Sequence, residues 1–251
     1  MPRLTFRLWF VSLLLAIIIT PRVKAEPVAP GSQLARQYVV KVGTGDETRE
    51  VTLRYWLFVP KSYADGKRVP LMLFLHGAGE RGDNLELVKK WGPPKKVAKE
   101  ASFPFLLISP QCKKGKRWDV EEMALLVKHV AGAYRVDHAR MYCTGLSMGG
   151  YGTWALLASE PELFAAGIPI CGGGDTSMAK SLAKVPLWAF HGDKDQAVPL
   201  KRSEQMVTAI KEAGGNVRLT VYPGVGHNSW SATYGNSKTY EWLLSHSRKV
   251  R

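Results

Sequence analysis

The sequence predicts an α/β protein: a mostly parallel, eight-stranded sheet with helices on both faces and no large cap domain. Of six apolar runs, most lack the in-out alternation of a half-exposed strand, as strands buried on both faces do. Stretches with helical spacing lie between them, and strand alternating with helix implies parallel neighbours. Two β-rich runs at the start add an antiparallel hairpin.

The hairpin is expected from Gln37 to Val42 and from Val51 to Pro60, around the turn signal Gly43-Thr44-Gly45-Asp46. The six further strands are Leu71–Leu75, Phe105–Ser109, Arg140–Thr144, Ala165–Ile170, Leu187–Phe190 and Arg218–Tyr222. Glu121–Tyr134 reads as a helix because Met123, Leu126, Val127 and Val130 share one face. Gly150–Ser159, Lys201–Ala213 and Thr239–Ser245 are the other expected helices. The interval from Cys171 to Pro186 is too short for a helical cap.

The chain has 251 residues, 45% hydrophobic and 22% charged, a balance that excludes wholesale disorder and a multi-span membrane protein. With no repeat or linker, residues 26–251 read as a single catalytic domain. Residues 1–25 read as a cleavable signal peptide. Arg3 and Arg7 precede an apolar run from Leu8 to Ile19, and Val23 and Ala25 stand where a signal peptidase reads, so the cut is expected after Ala25. An uncleaved anchor is the competing reading, but about twelve apolar residues fall short of the roughly 20 that span a bilayer. The protein is therefore expected to be secreted or periplasmic, without stable membrane insertion.

The net charge of +14 gathers locally in Lys89-Lys90, Lys95-Lys96 and Lys113-Lys114-Gly115-Lys116-Arg117. A solvated basic surface explains these clusters most simply, and an acidic polysaccharide partner is the sharper alternative. No recognition motif accompanies the charge, so nucleic acid is not expected as a partner. Cys112, Cys143 and Cys171 make an odd count without metal-ligand spacing. No metal and no cofactor is expected.

In an open parallel sheet, chemistry collects at the carboxyl ends of strands. Gly145-Leu146-Ser147-Met148-Gly149 falls between an expected strand and an expected helix. A G-x-S-x-G turn there forces the serine into a strained conformation and presents its hydroxyl above the sheet, which makes Ser147 the expected nucleophile. Its base is expected in the loop Pro223-Gly224-Val225-Gly226-His227 after the last strand, at His227. A backbone-capping role is the bland reading of this histidine. The orienting acid is expected after the penultimate strand, where Asp195 is preferred and Asp193 could instead cap the loop.

Two backbone donors for an oxyanion are expected at Met148 and at Ala78, with Gly77 as second choice for the latter. Glu80, Trp118, Asp175 and Trp230 are candidate substrate contacts, although Glu80 could instead brace the oxyanion loop and the tryptophans read first as core residues.

Three motifs carry a family resemblance: Leu75-His76-Gly77-Ala78-Gly79-Glu80-Arg81-Gly82-Asp83-Asn84, Thr144-Gly145-Leu146-Ser147-Met148-Gly149-Gly150-Tyr151-Gly152-Thr153-Trp154, and Pro169-Ile170-Cys171-Gly172-Gly173-Gly174-Asp175. With Pro223–His227 they resemble the α/β-hydrolase superfamily over about Tyr38 to Leu244. More narrowly, they resemble secreted single-domain esterases often labelled "predicted peptidase", related to polyhydroxybutyrate depolymerases and feruloyl esterases. The resemblance implies the strand order 1-2-4-3-5-6-7-8 and a Ser147, Asp195, His227 triad. The His191–Pro199 segment follows the His-Gly-x-x-Asp-x-x-Val-Pro pattern of such esterases, which favours Asp195 over Asp193.

In that strand order Cys112 and Cys171 stand roughly 14 Å apart at about 4.8 Å per strand. A disulfide needs Cα atoms within about 7 Å, so free thiols are expected. The implied activity is hydrolysis of a carboxylic ester through an acyl-serine, on acetyl or feruloyl groups of a polysaccharide. Two other readings stand beside it: a serine peptidase, and a non-catalytic binding module on a hydrolase scaffold.

Overall fold

A computed structural model describes residues 29–250, so the expected signal peptide and its cut after Ala25 lie outside the described residues. Eight strands form one sheet: β1 (Gln33–Val42), β2 (Arg49–Phe58), β3 (Val69–Leu75), β4 (Leu106–Pro110), β5 (Val136–Leu146), β6 (Ala166–Ile170), β7 (Leu187–Gly192) and β8 (Val217–Tyr222). Their order is β1-β2-β4-β3-β5-β6-β7-β8, as expected. The β1–β2 hairpin joins β4 antiparallel, and all pairs from β4 to β8 are parallel.

The expected helices are present as α2 (Val120–Ala133), α3 (Met148–Ser159), α5 (Lys201–Glu212) and α7 (Ser237–Leu244). Three short ones were not legible: α1 (Gly92–Val97), α4 (Ala179–Leu182) and α6 (Trp230–Gly235). No helix among the described residues is long and apolar enough to cross a membrane.

The unbroken apolar run of β3 makes sense on this sheet, because β3 lies between β4 and β5 and helices cover both of its faces. Leu71, Leu73 and Leu75 face one core with Val127 of α2, Leu157 of α3 and Ile210 of α5. Met72 and Phe74 face the other, with Val97 of α1, Tyr234 of α6 and Leu243 of α7. All five β3 side chains are fully buried, each contributing on the order of 1.5–3 kcal/mol. The sheet is thereby held rigid beneath the loops at its carboxyl edge.

Candidate active site

Four strand ends converge at that edge. β5 runs into α3 through Ser147, whose backbone has φ 53° and ψ −116°, the strained turn that the G-x-S-x-G spacing predicts. Two glycines make this turn possible. A Cβ on Gly149 would overlap the carbonyl oxygen of Leu75, and one on Gly172 would lie 2.7 Å from the carbonyl carbon of Gly150. The chain thus crosses β3 and the loop after β6 at backbone contact distance. Ser147 N–H donates to the carbonyl of Ile170 at 2.9 Å, tying the turn to β6.

Above the turn, Ser147 Oγ lies 2.8 Å from His227 Nε2. His227 Nδ1 lies 2.7 Å from Asp195 Oδ2. A carboxylate only accepts, so this contact puts a proton on Nδ1 and leaves Nε2 free to accept from the hydroxyl. Asp195 Oδ1 accepts two backbone N–H groups, from Ala197 and Val198, both at 2.9 Å. The carboxylate is buried and fixed on both oxygens, whereas His227 keeps 27% of its side chain exposed. Asp193 instead accepts from Gly224 N–H at 2.7 Å and caps the His227 loop.

His191 is fully buried behind the acid. Its Nε2 lies 2.8 Å from the carbonyl of Val198 and 3.2 Å from Asp195 Oδ2, and its Nδ1 lies 2.8 Å from Ser203 Oγ. It holds the Asp195 loop against α5. Cys171, with φ 39°, places its sulfur within 4.8 Å of Asp195 and His227. Burial pushes this thiol up to about 12. All three cysteines are free and buried.

The loop after β3 supplies the other wall. Gly77 N–H donates to Glu80 Oε2 at 3.1 Å and is occupied. Ala78 and Met148 both line the cleft beside Ser147, and among the described residues neither backbone N–H donates to a protein acceptor. This separates the two choices for the first oxyanion donor in favour of Ala78. His76 braces the loop from below. Its Nδ1 donates to the carbonyl of Gly77 at 2.7 Å, and its Nε2 accepts the N–H of Cys112 at 3.1 Å.

The cleft holds about 640 Å³. Trp118 and Asp175 line it as expected. Trp118 also packs on Gly152 and donates its indole N–H to the carbonyl of His76 at 3.1 Å, so it is partly structural. Asp175 accepts from Ser177 N–H at 2.9 Å, and the Ser177 hydroxyl together with this amide lowers its carboxyl pKa. For the other two candidates the structure favours the structural alternative. Glu80 is buried and turned into its own loop, where it holds the Gly77 amide. Trp230 is not on the cleft wall; its ring meets that of His227 edge-on at 5.3 Å and that of Trp91 at 6.0 Å. Tyr151 and Arg202 line the cleft without any local sequence signal having marked them.

The sheet order and the elbow carrying Ser147 define an α/β-hydrolase. The Dienelactone hydrolase family matches residues 87–239, more than half of the chain, and the chain belongs to that family. It is 30% identical over 118 residues to a "Putative carboxymethylenebutenolidase" of Methylorubrum extorquens, covering 43% of this chain and 40% of that protein. It is 23% identical over 155 residues to a bifunctional acetylxylan esterase/xylanase of Neocallimastix patriciarum, covering 59% of this chain and 22% of that one. The chain thus spans less than half the length of these curated relatives. Among solved structures, a thermostable esterase superposes with a TM-score of 0.70 at 35% identity, covering 84% of this chain and 63% of that one.

Proposed function

We propose that the protein is a secreted serine carboxylesterase acting through an acyl-serine on acetyl or feruloyl esters of polysaccharide. The observation that carries the reading is the continuous relay from Asp195 through His227 to Ser147 beside two unengaged amides. Ser147 Oγ attacks the ester carbonyl as its proton passes to His227 Nε2, and the Met148 and Ala78 amides receive the oxyanion. The carbon–oxygen bond to the alcohol then breaks, and His227 returns the proton to the departing oxygen. Water repeats the sequence on the acyl-serine and releases the acid. Asp195 keeps the imidazole in its Nδ1–H form and stabilises it when it is charged. The amino terminus of α3 adds favourable dipole at the developing charge.

Esterase relatives at 35% and 23% identity support the ester, and the acetylxylan esterase among them supports the polysaccharide. The open cleft accommodates an ester on a bulky scaffold. The test is hydrolysis of p-nitrophenyl acetate, butyrate and octanoate by wild type and Ser147→Ala. Turnover on the shorter chains and a loss of about 10⁴-fold or more in the variant are expected. Turnover that survives S147A sinks the assignment. A peptide panel tests peptidase activity on the same preparations.

A further inference from the structure

Between Lys89 and Arg117 the chain carries nine lysines and arginines against one acid, Glu100. The fold divides this run into two groups. Lys90 precedes α1 and Lys95 lies on it, and both ammoniums face the Trp91 ring, 5.6 and 5.1 Å from its centroid. Lys113 and Lys114 stand exposed on the loop after β4. The nearby acids are already engaged, Glu86 with Lys89 at 2.6 Å and Glu100 with Lys96 at 2.7 Å. Among the described residues none of the ammoniums of Lys90, Lys95, Lys113 and Lys114 makes an ion pair.

Both groups border the catalytic cleft, from opposite faces of the sheet. Trp91 packs on the core of one face and reaches His227 through a single ring, that of Trp230. Trp118 packs on the core of the other face and lines the cleft. Beside it Lys113 lines an adjoining cavity of about 440 Å³, which shares Arg117 and Trp118 with the cleft. The oxyanion loop ties to the second group's loop through Gly82 N–H to the carbonyl of Cys112 at 2.9 Å and Gln111 Nε2 to that of Asn84 at 2.8 Å. Asp83 is the one exposed carboxylate on that loop.

Resting on the esterase reading for its place beside Ser147, we infer that these two lysine groups form one docking surface for an acidic polysaccharide, which crosses the sheet edge and lays its ester over the cleft. A lysine stem packed on an aromatic ring holds its ammonium in a defined place while leaving it in water. An exposed ion pair with one small anion contributes little in salt solution. A chain with a carboxylate on successive sugars engages both groups at once, and the second contact is then intramolecular. A lipid surface fits less well, because Leu87 is the one exposed large apolar side chain from Lys61 to Arg117.

Polygalacturonate without ester groups measures the docking apart from turnover. The wild-type protein should be retarded in a gel that contains it and not in one that contains neutral xylan, and added salt should weaken the retardation. In Lys90→Gln/Lys95→Gln/Lys113→Gln/Lys114→Gln the affinity should fall about tenfold or more. Lys180→Gln/Lys184→Gln/Lys211→Gln/Lys238→Gln removes the same charge from exposed sites elsewhere and should stay within about twofold of wild type. Circular dichroism melts check that both variants fold. On acetylated polygalacturonate, kcat/KM relative to p-nitrophenyl acetate should fall in the first variant alone. No retardation, an equal loss in the second variant, or tighter binding to phosphatidylglycerol vesicles or duplex DNA overturns the inference and leaves the esterase standing. Retardation lost in the first variant alone, without turnover of any ester, keeps the docking surface and overturns the esterase reading.

Discussion

The backbone N–H of Cys112 donates to Nε2 of His76 at 3.1 Å, so the loop after β4 hangs on the imidazole that underlies the oxyanion loop. With Nδ1 donating to Gly77, this histidine is neutral by construction, and a proton on Nε2 would break the bond to Cys112. Burial is the main cause that lowers its pKa from 6.5 to about 4.

Stability should therefore depend on pH in a defined window. The folded pKa lies below the unfolded one, so between them the unfolded chain binds more protons, and stability is lost as pH falls from 6.5 towards 4. The full effect is up to about 3 kcal/mol at 1.36 kcal/mol per unit. Thermal melts of wild type and His76→Gln across that range test it. The variant should melt lower at neutral pH and show a shallower fall below pH 6.5. Parallel curves would assign the acid sensitivity elsewhere.

The triad and the strands were legible because each rests on a local pattern. Ser147 sits in a five-residue elbow, His227 ends a glycine-rich loop, and β3 is apolar on both faces because helices cover both. The short helices α1, α4 and α6, of six, four and six residues, hold too few turns to show a period. α1 also opens on Gly92-Pro93-Pro94, which reads as a loop. The cleft lining was legible only in part: the basic run ending at Arg117 shows in the sequence, but its meeting with other arginines does not. Arg81, Arg117 and Arg202 are distant in sequence, and the crossover order of the sheet alone brings them to one cleft.

Asp195→Asn should abolish most turnover without unfolding the protein. The asparagine carbonyl can replace Oδ1 as acceptor for the Ala197 and Val198 amides, which turns its NH₂ towards His227 Nδ1. A donor there moves the imidazole proton to Nε2, where it can no longer accept from Ser147. The loss in kcat should reach about 10⁴-fold, with the melting temperature close to that of wild type. A loss below tenfold would show that Asp195 does not set the tautomer.

Gly149→Ala should be destabilising out of proportion to one methyl group. The new Cβ overlaps the Leu75 carbonyl, a backbone atom at the end of a fully buried strand that cannot swing aside. Overpacking of this kind costs about 1–3 kcal/mol or more. Chemical denaturation should show a midpoint lowered accordingly with an unchanged slope. Gly79→Ala is the control, because its Cβ would meet nothing within 4 Å.

The three thiols should be silent towards an aryl disulfide reagent at pH 8 until the chain unfolds. Burial is the main cause that raises Cys112 to about 11 and Cys143 and Cys171 to about 12, so almost no thiolate forms at that pH. The reagent also has no path to the sulfurs of Cys143 and Cys171, both fully buried. Three equivalents should react in denaturant, because no disulfide withholds any of them. The consequence for Cys171 is specific: its sulfur stands within 4.8 Å of Asp195 and His227, so an adduct there would push directly on the relay. Any fraction that does react in the native state should lose turnover in proportion to labelling at Cys171. Labelling at Cys171 that leaves turnover whole would mean that this thiol does not pack against the working triad.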